Sequence, residues 1–211
     1  MKAIPFLFLL GLVLFACTPG PIVKTMPKEQ WVNDTIRYIS YAAYDDLKLD
    51  LQPITETTFN KQVAAYMTTQ FAGCGFDRLR LTEFDDCNEV CESWVRDTEG
   101  RRFYWPSDYD AGIRGGAFSP DCKRYFVFST FDGPDFDSYY EHRAQLFIFD
   151  IKGRDGVNSL QPAYRYVTTT WSIDDMTWVN NSEISLKVYS GAYWTEGEEL
   201  EYSFYKAILP K

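Results

Sequence analysis

Polar and apolar residues alternate in short runs through the second half of the chain. Tyr125-Phe-Val-Phe-Ser, Gln145-Leu-Phe-Ile-Phe-Asp-Ile, Ala163-Tyr-Arg-Tyr-Val-Thr-Thr-Thr and Ile184-Ser-Leu-Lys-Val-Tyr are rich in β-branched and aromatic residues. Runs of this kind predict strands. Turn-forming clusters separate them at Asp132-Gly-Pro-Asp, Lys152-Gly-Arg-Asp-Gly and Asn180-Asn-Ser, where glycine, proline and the short polar side chains favour chain reversal. Earlier, Glu92-Ser-Trp-Val-Arg and Arg101-Arg-Phe-Tyr-Trp flank Asp97-Thr-Glu-Gly, which predicts a hairpin. One segment has a helical period: Phe59, Val63, Ala64 and Met67 predict a helix over residues 57–70 that stops before Gly73. A pair of strands is the competing reading there, because threonine, valine and tyrosine are frequent. The expected fold is therefore all-β with one short helix.

The first residues follow another pattern. Met1-Lys2 carries a positive charge, and Ile4 to Ala16 is almost wholly apolar. That run is shorter than the roughly 20 residues a membrane-spanning helix needs, and it fits a secretory signal peptide instead. Leu14-Phe15-Ala16-Cys17 resembles the lipobox of bacterial lipoproteins. The resemblance implies cleavage after residue 16 and acylation of Cys17, with acyl chains adding about 0.8 kcal/mol per buried methylene. Thr18 stands where that family places aspartate for inner-membrane retention, so the implied address is the outer membrane, with the domain facing the periplasm. Residues 17–27, rich in proline, read as an extended tether, and residues 28–211 as one β-rich domain.

Export changes how the cysteines are read. Of five cysteines, Cys74, Cys87, Cys91 and Cys122 remain beside Cys17. An even number in an oxidising compartment predicts two disulfides, with three connectivities open. A zinc site is the alternative, but these spacings lack the usual C-x2-C pair. Cys87-x3-Cys91 is also the wrong spacing for a thioredoxin-like redox pair.

Repetition makes the organisation more specific. Ala117-Phe-Ser-Pro-Asp-Cys-Lys-Arg-Tyr-Phe-Val-Phe-Ser has a degenerate second copy in Thr177-Trp-Val-Asn-Asn-Ser-Glu-Ile-Ser-Leu-Lys-Val-Tyr-Ser, with Trp178 in the place of Phe118. The pattern resembles blades of TolB-like and WD-type β-propellers, in which an F-S-P-D-G-K turn opens a strand. Phe118-Ser119-Pro120-Asp121 with Lys123 matches, while Cys122 replaces the usual glycine. The resemblance implies a small or partial propeller stapled by disulfides. Blades of roughly 40–50 residues limit the chain to about four. A β-sandwich containing a recurring hairpin is the alternative fold.

Thirty acidic residues against 21 basic ones give a formal charge of -9, a balance that repels phosphate backbones and argues against nucleic acid as a partner. The single histidine, His142, and the lack of a G-x-S-x-G elbow or a phosphate-binding glycine loop leave no hydrolase or nucleotide signature. No cofactor and no catalytic residue is expected. The remaining acidic pairs, Asp85-Asp86, Asp108 with Asp110, and Asp174-Asp175, are expected in loops, where a glycosidase would need two carboxylates at a set separation. A calcium ion would draw on Asp132, Asp135, Asp137 and Glu141 in one loop, against the plainer reading of an acidic strand connection.

Aromatic loop residues Tyr109, Tyr139, Tyr140 and Trp194, with Glu196, Glu198 and Glu199, are the candidates for binding a protein partner with a basic surface. The expected function is non-enzymatic. It is that of an outer-membrane lipoprotein acting as an envelope scaffold, or as an inhibitor or immunity protein against a toxin or hydrolase. A glycan-binding protein or glycosidase using loop aspartates is the alternative.

Overall fold

The computed structural model describes residues 29–32, 36–69, 73–131, 143–190 and 200–210. Among them are three β-sheets and one α-helix. The first sheet combines β1 (Glu29–Val32), β2 (Ile36–Ile39), β5 (Leu81–Cys87), β6 (Cys91–Asp97) and β7 (Arg102–Tyr104) in the order β1-β2-β7-β6-β5. In the second sheet, β3 (Asp45–Asp46) lies beside the meander β8 (Gly115–Phe118), β9 (Arg124–Thr130), β10 (Ala144–Ile151) and β11 (Leu160–Thr168). The third sheet is a meander of β12 (Ser172–Asn180), β13 (Glu183–Ser190) and β14 (Glu201–Ile208), closed by β4 (Gln52–Pro53).

The second sheet lies in the middle, and its sequence says why. In β9, Phe126 and Phe128 join a core shared with Ile173, Trp178, Ile184 and Leu186 of the third sheet. Tyr125 and Val127 of the same strand join a core with Leu81, Val95 and Phe103 of the first sheet. Alternate residues of a strand face opposite ways, so a strand covered on both faces must be apolar at successive positions. Leu146, Phe147, Ile148 and Phe149 of β10 satisfy that requirement, each with no exposed surface.

The described residues between 29 and 53 form a ribbon that reaches every sheet in turn. β2 runs parallel to β7, β3 parallel to β11, and β4 antiparallel to β14. Nothing in the alternation pattern marks the two-residue strands β3 and β4.

The helix α1 (Glu56–Thr69) forms where the period places it. The Thr55 hydroxyl accepts from the Thr58 amide at 3.2 Å and caps its start. The buried stripe differs from the expected one. Phe59 and Tyr66 are buried, whereas Met67 is 50% exposed and Ala64 is exposed. Tyr66 lies two turns on from Phe59, and its hydroxyl donates to the Phe118 carbonyl at 2.7 Å. A tyrosine read as a strand former thus anchors the helix to the middle sheet. The hairpin over residues 92–105 forms as expected, from β6 and β7.

The four cysteines pair as Cys74–Cys122 and Cys87–Cys91. The first bond spans 48 residues and ties the segment after α1 to the β8–β9 turn; the second spans 4 and stays within the β5–β6 hairpin. Chain entropy alone assigns about 4 and about 2 kcal/mol to loops of those lengths. Cys122 has φ +58°, the left-handed backbone that favours glycine. Here the disulfide to Cys74 holds the residue in place. The two repeated segments form comparable strand–turn–strand units, β8–β9 and β12–β13, and they touch. The Asn181 side chain accepts from the Asp121 amide at 3.0 Å, and the Trp178 indole donates to the Ala117 carbonyl at 3.0 Å.

Candidate functional site

The larger cavity, of about 860 Å³, lies beside the end of β2, the start of β6 and the connection from β7 to β8. Its size is in the range of small-ligand sites, roughly 300–1,000 Å³. Local backbone chemistry builds its walls. Ser40 caps the 3-10 turn Tyr41–Ala43 through its side chain, which accepts from the Ala42 amide. The Cys91 amide donates to the Asp110 carbonyl at 2.7 Å, and the Trp105 amide to the Ser93 carbonyl at 2.9 Å. These bonds fold residues 105–113 back over the β5–β6 hairpin. Gly112 is required at this crossing: its φ is +69°, and a Cβ there would stand 3.0 Å from the Cys91 Cβ and carbonyl oxygen.

Aromatic rings form much of the lining, with Tyr41, Tyr44, Phe103, Tyr104, Trp105 and Tyr109. Three carboxylates accompany them: Glu92, Asp108 and Asp110. Asp108 is held from two sides. The Tyr41 hydroxyl donates to one carboxylate oxygen, and the Gln145 amide donates to the other at 2.6 Å. In return the Asp108 backbone amide donates to Gln145 at 3.0 Å. Gln145 has no exposed surface, so the carboxylate is braced by a fully buried side chain of the middle sheet.

The tyrosines around this brace are firmly neutral. Burial, and then the bond to Asp108, push the Tyr41 phenol above its ordinary range. Burial does the same to Tyr44. The Arg165 guanidinium stacks 4.3 Å from the Tyr41 ring centroid, a cation–π contact.

Of the residues expected to bind a partner, Tyr109 lines this cavity, but as a wall element only 3% exposed. Tyr139, Tyr140, Trp194, Glu196, Glu198 and Glu199 lie outside the described residues, as do Cys17, His142 and the calcium candidates Asp132, Asp135, Asp137 and Glu141. The acidic pairs separate. Asp108 and Asp110 share the loop over the cavity. Asp85 and Asp86 belong to β5, and Asp174 and Asp175 to β12, not to loops. On β5 the neighbouring side chains face opposite ways and cannot converge; Asp174 is paired with Lys187 at 2.7 Å. Among the described residues no group of three or more histidine, cysteine or carboxylate side chains is arranged to hold a metal ion. Nor, among them, is any helix long and apolar enough to cross a membrane.

Sequence reasoning missed Tyr41, Tyr44, Glu92 and Gln145. The run Tyr41-Ala-Ala-Tyr-Asp-Asp carries the aromatic–acidic signature sought elsewhere and was the available signal. Gln145 offered none, because a polar residue at a strand start reads as solvated. A second cavity of about 520 Å³ lies between α1 and the β12–β13 turn, beside Lys61, Gln62, Tyr66 and Trp178.

Comparison of the chain with protein-family models, with curated proteins and with solved structures found no match.

Proposed function

We propose that this chain is a lipid-anchored protein of the bacterial outer membrane, facing the periplasm, that binds a protein partner with a basic surface and catalyses no reaction. The anchor rests on Leu14-Phe15-Ala16-Cys17 and the proline-rich tether to residue 27. The domain is a partial β-propeller. Each sheet contains three or four strands consecutive in sequence with one or two earlier strands beside them, and two copies of one turn motif stand next to each other in adjacent sheets.

The observation that carries the binding role is the aromatic cavity bearing Glu92, Asp108 and Asp110. Tyrosine and tryptophan offer rigid contact area with a polar tip, and carboxylates speed encounter with a cationic partner. Scaffolding of envelope proteins and inhibition of a basic toxin or hydrolase are the two forms of this role. The test is cross-linking of the anchored protein in its own envelope, with Cys17→Ser as the unanchored control. One stoichiometric protein partner released by high salt is the expected result. Retention on polysaccharide without a protein partner would overturn the reading.

One observation favours the second reading, a glycan-binding protein or glycosidase: Asp108 and Asp110 share a cavity with Tyr104 and Trp105. Asp110→Asn abolishes glycan turnover under that reading, whereas under the first there is no turnover to lose.

A further inference from the structure

The geometry points to an arginine side chain of the partner as the group that enters the larger cavity, with its guanidinium at the Glu92 rim and its stem and flanking residues against the aromatic walls. The inference rests on the partner-binding reading above and names the chemistry of that site.

Three features converge on a cation. First, the described lining residues include three carboxylates and no lysine, arginine or histidine. Second, the register of β5 and β6 places Asp86 directly opposite Glu92. Like charges paired across strands are destabilising by up to about 1 kcal/mol. Neither carboxylate has a salt-bridge partner among the described residues; Asp86 accepts only from the Asn88 amide at 2.9 Å. A cation bound at Glu92 relieves this repulsion, so the folded chain gains from the ligand at a place where it is otherwise penalised.

Third, the walls suit a flat cation on an apolar stem. Guanidinium groups stack on tyrosine and tryptophan faces more readily than ammonium groups and pair with carboxylates through two parallel bonds. The chain makes such a contact itself, with Arg165 over Tyr41. A neutral sugar fits the aromatic walls but leaves the opposed carboxylates as they are.

The test is calorimetric titration of the full-length chain with three blocked tripeptides, acetyl-Leu-Arg-Leu-amide and its lysine and glutamate counterparts, and with n-butylguanidinium and a neutral trisaccharide. Binding in the order arginine, lysine, glutamate is expected, with arginine over glutamate by about tenfold or more, in keeping with a desolvated cation–π and ion-pair contact. Glu92→Gln is expected to cut arginine-peptide affinity about fivefold, as loss of a partly exposed charge pair does, with the melting temperature retained or raised because Asp86 loses its repulsive neighbour.

Equal binding of the arginine and glutamate peptides, or arginine binding indifferent to Glu92→Gln, overturns the inference. Butylguanidinium bound as tightly as the peptide overturns the protein source and leaves a small organic cation. Binding of the trisaccharide alone moves the site to glycans. Failure of this inference and of the parent reading are separable: a cross-linked protein partner with no arginine preference sinks only the former, and arginine binding without any envelope partner sinks only the latter.

Discussion

The first and middle sheets are built from similar residue types and put them to opposite uses. In the middle sheet β9 and β10 are apolar at successive positions and covered on both faces. In the first sheet only one face is buried. Val95 and Phe103 point into the core, while Phe84, Trp94 and Tyr104 stand in a row on the other face, with ring centroids 5.7 and 5.5 Å apart. Arg96 sits 4.7 Å from the Phe84 ring. The middle sheet therefore carries the stability. The first sheet has side chains to spare, and the cavity opens where its strands meet the β7–β8 connection.

The sharpest way to break this contrast is to truncate one aromatic in each sheet. Phe147→Ala removes a fully buried ring that packs 5.4 Å from Tyr41 and 5.2 Å from Tyr44. It is expected to cost about 3–5 kcal/mol, measured by urea unfolding. Phe84→Ala is expected to cost about 1 kcal/mol, in line with one cross-strand aromatic pair; an equal loss at both sites would show that the outer row is core. Next in size come the disulfides. Cys74→Ser with Cys122→Ser is expected to lose about 4 kcal/mol and Cys87→Ser with Cys91→Ser about 2, so the two double variants are to be compared in the same unfolding experiment.

These contrasts also explain what the sequence made legible. Apolar runs such as Tyr125 to Phe128 announce strands because burial on both faces leaves no room for polar residues. The turn at Phe118-Ser-Pro-Asp-Cys carries its own hydrogen-bonding code: Ser119 donates to Asp121 at 2.7 Å and accepts from the Arg124 amide at 2.9 Å. β3 and β4 were illegible because two residues have no period. The cavity was illegible for another reason. Its walls come from segments around residues 40, 92 and 108, whose meeting depends on how the ribbon crosses the sheets. Tyr109 was found by composition, but its burial was not foreseen.

Two smaller effects sharpen the comparison at the boundary between the sheets. Tyr44→Phe deletes a buried hydroxyl that has no partner among the described residues and is expected to stabilise the protein by about 1 kcal/mol; a loss of stability would reveal a partner for that hydroxyl. The smallest effect concerns Glu83 on β5. Burial, and then the nearby Asp85 charge, raise its carboxyl above the ordinary range. A raised folded pKa means that the folded state holds its proton more tightly than the unfolded chain. The associated stability is present in acid and is lost as pH rises through the folded value. Glu83→Gln is therefore expected to melt slightly above the parent at neutral pH, with the difference shrinking on acidification. Thermal melts at pH 7 and pH 4 check the sign.

The ribbon of residues 29–53 sets an order of assembly. It is made before the strands it joins: β2 finds its neighbour at Phe103, β3 at Tyr164 and β4 at Tyr205. As a chain emerges from its N-terminus, the ribbon stays undocked until each of these strands arrives, and the last piece settles only after β14. Closing contacts between distant parts of a chain is slow. An emerging chain would thus hold this ribbon exposed until its partner strands arrive, and the ribbon's last piece would lock in only with β14.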